Sequence, residues 1–179
     1  MKKDYTLTVF TENQTGLVIR IASVITKRHI NIESLSVSKS SIEGIHRFTI
    51  VVHETDETVR KLCAQLDKQV DVLKAFYYDN DEIVYQEIAL YKVPIEGFFH
   101  GNDLEKIVRQ HNARILRIEP GYIVIEKTGH ENETEALLMT LKEIGVFEFV
   151  RSGRVAIVKP MERLNKYLKS LNIKMSNSN

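Results

Sequence analysis

Tyr5, Leu7 and Val9 alternate with Thr6 and Thr8, a period of two that predicts a half-buried strand over residues 5–11. The period then changes. After Thr15 and Gly16, Leu17, Val18, Ile21, Ala22, Val24 and Ile25 recur at helical spacing, which predicts a helix with a broad buried face ending near Arg28. Ile30 and Ile32 lie on one alternating phase, Leu35 and Val37 on the other. A second strand is therefore expected with a phase slip at Glu33–Ser34, read as a bulge. Ser40 to Gly44 read as a turn, and Phe48, Ile50 and Val52 alternate in a third strand. Thr55 is placed to cap a helix, with Asp56 and Glu57 in its first turn and Val59, Leu62, Cys63 and Leu66 as its apolar stripe. Val70, Val72, Lys74 and Phe76 begin a fourth strand. The order βαββαβ describes a ferredoxin-like unit over residues 1–79.

The polar stretch Asp79-Asn80-Asp81-Glu82 marks a boundary, after which the same order restarts. Residues 83–93 form a strand, broken by Pro94 and Gly97. Leu104, Ile107, Val108 and His111 mark a helix. Arg114–Ile118 and Tyr122–Glu126 read as a hairpin around Pro120–Gly121. Leu137, Leu138, Leu141 and Ile144 mark the next helix, with Glu131, Glu133 and Glu135 near its start. Val146–Val150 and Val155–Val158 are short strands around Ser152–Gly153. The fold class is thus α+β, two tandem ferredoxin-like βαββαβ units spanning 1–79 and 83–159. A short basic helix and a polar end complete the chain as a tail over 160–179.

Composition narrows the function. Of 179 residues, 43% are hydrophobic and 27% charged, which is enough apolar material for one core or two modest ones. The net charge of +1 speaks against nucleic acid as the main partner, because phosphate binding shows as a basic excess. A single cysteine, Cys63, rules out an internal disulfide and suits a reducing compartment. No apolar run resembles a signal peptide or a membrane span, so a soluble, cytoplasmic protein is expected.

Catalytic chemistry is hard to find. There is no G-x-G-x-x-G and no P-loop. His29, His46, His53, His100, His111 and His130 are scattered, and none pairs at metal-ligand spacing. His111 lies on an apolar helical phase and reads as a structural, half-buried histidine. Cys63 reads as a packed thiol rather than a nucleophile. Helix-dipole complementarity accounts for the three glutamates. Arg151-Ser152-Gly153-Arg154 could hold an anion, but a plain hairpin turn is the expected reading.

One segment is chemically specific. Glu12-Asn13-Gln14-Thr15-Gly16-Leu17 joins the first strand to the first helix. A helix N-terminus offers N–H groups with no internal acceptor, and with the macrodipole these favour a carboxylate. Gly16 lets a ligand approach the backbone, and the Asn13 amide can donate and accept. A free amino acid would suit such a loop. The same residues also suit an ordinary strand-to-helix turn with Thr15 as a cap, and residue chemistry leaves both readings open.

These residues carry a resemblance. E-N-Q-T-G-L at 12–17, followed by N-I-E-S-L-S-V at 31–37 and Val70-Asp71-Val72-Leu73-Lys74, resembles the ACT domain of acetolactate (acetohydroxyacid) synthase small subunits. Glu87 to Val93, Ile115 to Pro120 and Val150 to Gly153 resemble that family's C-terminal domain. The similarity runs from about residue 5 to residue 159. The chain departs from the pattern at His29–Ile30 and in its tail beyond Pro160.

The resemblance implies a regulatory subunit without catalysis of its own. Its partner would be a large catalytic subunit that condenses pyruvate with pyruvate or 2-oxobutyrate. Thiamine diphosphate, magnesium and FAD would belong to that partner, with no cofactor or metal in this chain. The small subunit would raise its activity and confer feedback by valine or a related branched-chain amino acid. ACT domains would pair into a homodimer with the effector at the pair's interface. Asn13 and Gly16 would hold its carboxylate and ammonium, Gln14, Thr15 and Leu17 completing the loop. Asn31, beside Ile32, would reach in from the second subunit. Two alternatives remain at this level: an ACT-type sensor for a different enzyme, and a ligand-responsive transcription regulator. The second needs a DNA-binding element, and no helix-turn-helix with a basic recognition helix is visible.

Overall fold

The computed structural model describes residues 1–95 and 103–159. The first unit runs β1 (Lys3–Glu12), α1 (Leu17–Thr26), β2 (Ser34–Lys39), β3 (Ile45–Glu54), α2 (Asp56–Leu66) and β4 (Val72–Asp79). Its sheet is antiparallel in the order β2-β3-β1-β4. The period-two pattern of β1 decides the packing. Leu7 lies opposite Ile50 and Tyr77, and Tyr5, Leu7 and Val9 share one face with Phe48, Ile50 and Val52. That face meets Leu17, Ile21 and Ile25 of α1 and Val59, Leu62 and Leu66 of α2. Each such side chain contributes about 1.5–3 kcal/mol by leaving water. Thr55 caps α2 through an N–H···O bond from Thr58 of 3.4 Å, with Asp56 and Glu57 in the first turn as expected.

The second unit runs β5 (Ile83–Pro94), α3 (Asp103–Gln110), β6 (Arg114–Glu119), β7 (Tyr122–Gly129), α4 (Glu131–Lys142), β8 (Glu148–Arg151) and β9 (Val155–Val158). Its order is β6-β7-β5-β8, with β9 also on β5. Ala89, Tyr91, Val93, Ile123 and Ile125 pack under α3 and α4. The Tyr91 hydroxyl donates to the Thr134 carbonyl at 2.7 Å, so this buried phenol is satisfied. The long strand β5 serves both units. Its first residues, Ile83 and Tyr85, join Ala156 and Val158 of β9 over Phe76 and Tyr78 of β4. They cover the face of the first sheet that α1 and α2 leave open. The turn Asp79–Glu82 makes this crossing, with the Glu82 N–H donating to the Asp79 carbonyl at 3.2 Å.

Four expectations change. The slip at Glu33–Ser34 is not a bulge: β2 begins at Ser34 and pairs with β3 in one unbroken register. His29 takes a left-handed conformation, φ 56°, which turns the chain out of α1 and drops Ile30 into the core before the strand starts. The first sheet's irregularity lies at Phe10/Thr11 of β1 against β4 instead. Val70 belongs to no strand and is 99% exposed, in the turn that precedes β4. Residues 151–154 are not a hairpin. Ala89 faces Arg151 while Gln86 faces Val155, so Glu87 and Ile88 oppose three residues. This is a bulge in an edge strand that continues in one direction. Last, His111 and Ile144 lie just past the ends of α3 and α4. Gly97, His100 and the tail from Pro160 onward lie outside the described residues.

Candidate functional site

β1 delivers the chain to the end of the sheet, where the segment 12–16 is exposed. The Asn13 N–H donates to the Gly44 carbonyl at 2.9 Å, tying the loop to the β2–β3 connection. The Gln14 side-chain amide turns back to the Glu12 carboxylate at 3.0 Å. Gly16 sits at φ 86°, in the left-handed region, and is the N-cap: the Arg20 N–H donates to its carbonyl at 3.2 Å. No side chain caps α1 and no acidic residue stands in its first turn, so the cap role open to Thr15 is not used. The first N–H groups of the helix therefore face outward with a partial positive charge. A Cβ at Gly16 would meet nothing within 4 Å, so the approach is open. Asn13 also lines a small cavity of about 180 Å³ with Lys39, Ser40, Glu43 and Gly44.

Leu17 is buried in the first core, and Ile32 packs against that core while staying partly exposed. Asn31 is exposed, and its amide donates to Glu33 at 2.9 Å. It stands at the far end of α1 from Gly16. The helix is ten residues long, roughly 15 Å at 1.5 Å per residue. Within one chain the two parts of the expected site are therefore apart.

Asn31 lines a second, larger cavity of about 860 Å³ between the two units, with Glu33, His53, Glu87, Arg151 and Arg154. The pair of arginines here was legible only as a turn. The bulge aims them at different partners. Arg154 is 3% exposed. It donates to Thr6 Oγ1 and Asn80 Oδ1, both at 3.0 Å, and lies 3.9 Å over the Tyr85 ring. Its ion pairs with Asp4 and Glu87 are longer, 3.9 and 3.8 Å. Arg151 pairs with Glu131 at 2.6 Å and Glu87 at 3.4 Å. These contacts engage both arginines, while the buried Arg154 Nε makes no hydrogen bond. Burial holds the Glu87 carboxyl above the usual carboxylate range, against the opposing pull of Arg151 and Arg154. Arg47 adds a second tie, donating to the Ala156 carbonyl at 2.6 Å.

The other candidates are structural. Burial pushes the Cys63 thiol up to about 11, which keeps it protonated. His111 is half-buried and bonds Thr140 at 3.3 Å. Glu133 accepts from the His130 N–H at 2.7 Å, bracing the start of α4. Among the described residues no His, Cys, Asp or Glu cluster is placed to hold a metal, and no helix is long and apolar enough to cross a membrane.

Comparison with known proteins agrees with this architecture. Residues 7–74 match the family model of the AHAS small subunit-like ACT domain, and residues 86–160 that of the small subunit of acetolactate synthase. The chain is 36% identical over 174 residues to the acetolactate synthase small subunit of Bacillus subtilis, covering 97% of this chain and 99% of that one. It is 32% identical over 153 residues to the small subunit of Mycolicibacterium smegmatis, covering 86% and 89%. The crystal structure of the Thermotoga maritima small subunit superposes with a TM-score of 0.80 at 26% identity, covering 88% of this chain and 98% of that one.

Proposed function

The chain belongs to the family of acetolactate synthase small subunits, and from that premise we propose that it binds the large catalytic subunit, raises its turnover and makes it answer to valine. Thiamine diphosphate, magnesium and FAD are carried by the large subunit in this reading. Residues 1–79 receive the effector, and residues 83–159 contribute to the grip on the large subunit.

One observation supports a shared effector site. The open helix N-terminus at Gly16 and the exposed amide of Asn31 are separated by the length of α1. A single amino acid does not span roughly 15 Å. A two-fold pair that sets two α1 helices antiparallel would bring the loop of one protomer to Asn31 of the other. The exposed Val18 and Ile19 on α1, and the edge of β2, which pairs with no further strand among the described residues and carries the exposed Val37, provide the surface for such a pair. A ligand that touches both protomers stabilises the paired state and shifts the population toward it. If the large subunit favours another arrangement, the two preferences oppose each other with a coupling of typically ~1–3 kcal/mol.

The test is synthase rate against valine for reconstituted complexes. Gly16→Asp puts a negative charge where the effector carboxylate would sit. Left-handed backbone costs an L-residue about 1–2 kcal/mol, least for Asp and Asn. Gly16→Asn is therefore the control, with the same strain and no charge. Asn13→Ala removes a bond to a charged group worth ~1.5–3 kcal/mol, about tenfold or more in affinity. Gly16→Asp and Asn13→Ala should leave activation intact and abolish or sharply weaken valine inhibition, with Gly16→Asn affected less than Gly16→Asp. Unchanged inhibition in Gly16→Asp and Asn13→Ala would return the loop to a plain turn.

A further inference from the structure

The cavity between the two units is lined by two residues whose buried polar atoms are unmatched. Arg154 Nε and Ser34 Oγ have no hydrogen-bond partner among the described residues. The sheet register brings them close. Thr6, Val51 and Ser34 form one row across β1, β3 and β2, and residues directly opposite each other share a face. Arg154 lies across that face. Its carbonyl accepts from Ser36 Oγ of β2 at 3.4 Å, while its guanidinium reaches Thr6 of β1 at 3.0 Å. Its Nε therefore lies between β1 and β2, within reach of a small group that also touches Ser34.

The chemistry of the walls selects that group. Arg154 Nε can only donate and the Ser34 hydroxyl can donate, so an oxygen acceptor such as a carboxylate suits both. A plain anion is disfavoured, because Asp4, Glu33, Glu54, Glu87 and Glu131 outnumber Lys2, Arg151 and Arg154 around the cavity. Asp4, Glu54 and Glu131 are paired with His53, Lys2 and Arg151. The Glu33 carboxylate accepts from the neutral Asn31 amide at 2.9 Å and forms no ion pair among the described residues, which leaves it open to a cation. Leu35, Val51 and Phe149 add apolar lining. We infer that this cavity is a second amino-acid site, holding an aliphatic α-amino acid within one protomer. Its carboxylate meets Arg154 Nε and Ser34 Oγ, its ammonium meets Glu33, and its side chain lies against Leu35 and Phe149. The volume, about 860 Å³, is within the range of small-molecule pockets. The site stands beside Asn31 but needs nothing from the Gly16 loop, so it goes beyond the shared effector site and does not depend on it. Touching both units, the ligand stabilises their seam.

The experiment is calorimetric titration of the full-length chain with valine. The parent should bind two valines per chain and Gly16→Asp one. On the Gly16→Asp background, Ser34→Ala removes a bond to a charged group and Glu33→Gln removes a charge; each should weaken the remaining site about tenfold. On Gly16→Asp alone, isobutylamine lacks the carboxylate and isovalerate lacks the ammonium, and each should bind at least about tenfold more weakly than valine. Ser34 is half-buried and Glu33 exposed, so circular dichroism should show the fold kept, and either substitution alone reads the site. No valine bound to Gly16→Asp would overturn the inference, as would a remaining site indifferent to both substitutions. If Gly16→Asp keeps both valines and Ser34→Ala removes one, the loop reading fails and the cavity site stands.

Discussion

Arg154→Met removes a buried cation while keeping most of its volume. Arg154 holds the two units together through Thr6 of β1, Asn80 of the turn, and Tyr85 and Glu87 of β5. At 3% exposure, solvent screening gives no reason to discount its contacts. Breaking a buried ion pair by removing one partner costs about 3–5 kcal/mol, because the other charge stays behind. For a chain of 179 residues that lowers the melting temperature by roughly 10 °C. The charge that loses one of its two arginine partners is Glu87, already held above the ordinary carboxylate range chiefly by burial. A raised pKa means that the folded protein binds this proton more tightly than the unfolded chain does. The protonated form is free of penalty at acidic pH, and stability is lost as pH rises through the folded value. Without Arg154 the value rises further, leaving only Arg151 at 3.4 Å and His130 to oppose burial and Glu131. The deficit of the variant should therefore be large at pH 8 and shrink toward pH 5. Urea unfolding of parent and variant at both pH values measures it. A deficit below ~1 kcal/mol, or one that does not change with pH, would refute the assignment of Arg154 and Glu87 as coupled partners.

Two further outcomes follow from burial. Cys63, with its thiol pushed up to about 11, should react with a thiol reagent at pH 8 at least a hundredfold more slowly than free cysteine, and at the normal rate in urea; rapid reaction in the folded protein would contradict its packing on the buried face of α2. A truncated chain ending at Asp79 should melt below the full chain and bind a hydrophobic dye, because it uncovers Phe76 and Tyr78; equal stability would mean that the cover from β5 and β9 contributes nothing.

Much of this architecture was legible because it rests on local periodicity. Tyr5, Leu7 and Val9 state a strand and a buried face at once, and α1 and α2 announce themselves by stripes that the core then uses. The tandem repeat was legible for the same reason. The errors fall where a single backbone conformation overrides the pattern. His29 in a left-handed conformation separates Ile30 from the strand, so an apolar residue that fills the core from a loop looks like a strand residue out of phase. The extra residue at 152–154 looks like a turn, since Ser and Gly serve both turns and bulges.

The seam between the units was illegible for a different reason. Arg154 and Thr6 are 148 positions apart. Nothing near either residue distinguishes a buried arginine from a solvated one, because charged residues are exposed by default. The bulge decides it. Had β8 and β9 run on without the extra residue, Arg154 would have fallen on the other phase of the strand. One added residue thus turns a cation inward and shifts the hydrophobic pattern by one. Ala156 can then face the first unit while Val155 and Ile157 face away. The same insertion that joins the two halves of the chain also creates part of the apolar face that points outward. A deletion within 152–154 would disturb both together, so cohesion within the protomer and the outward surface are set by a single irregularity in one edge strand.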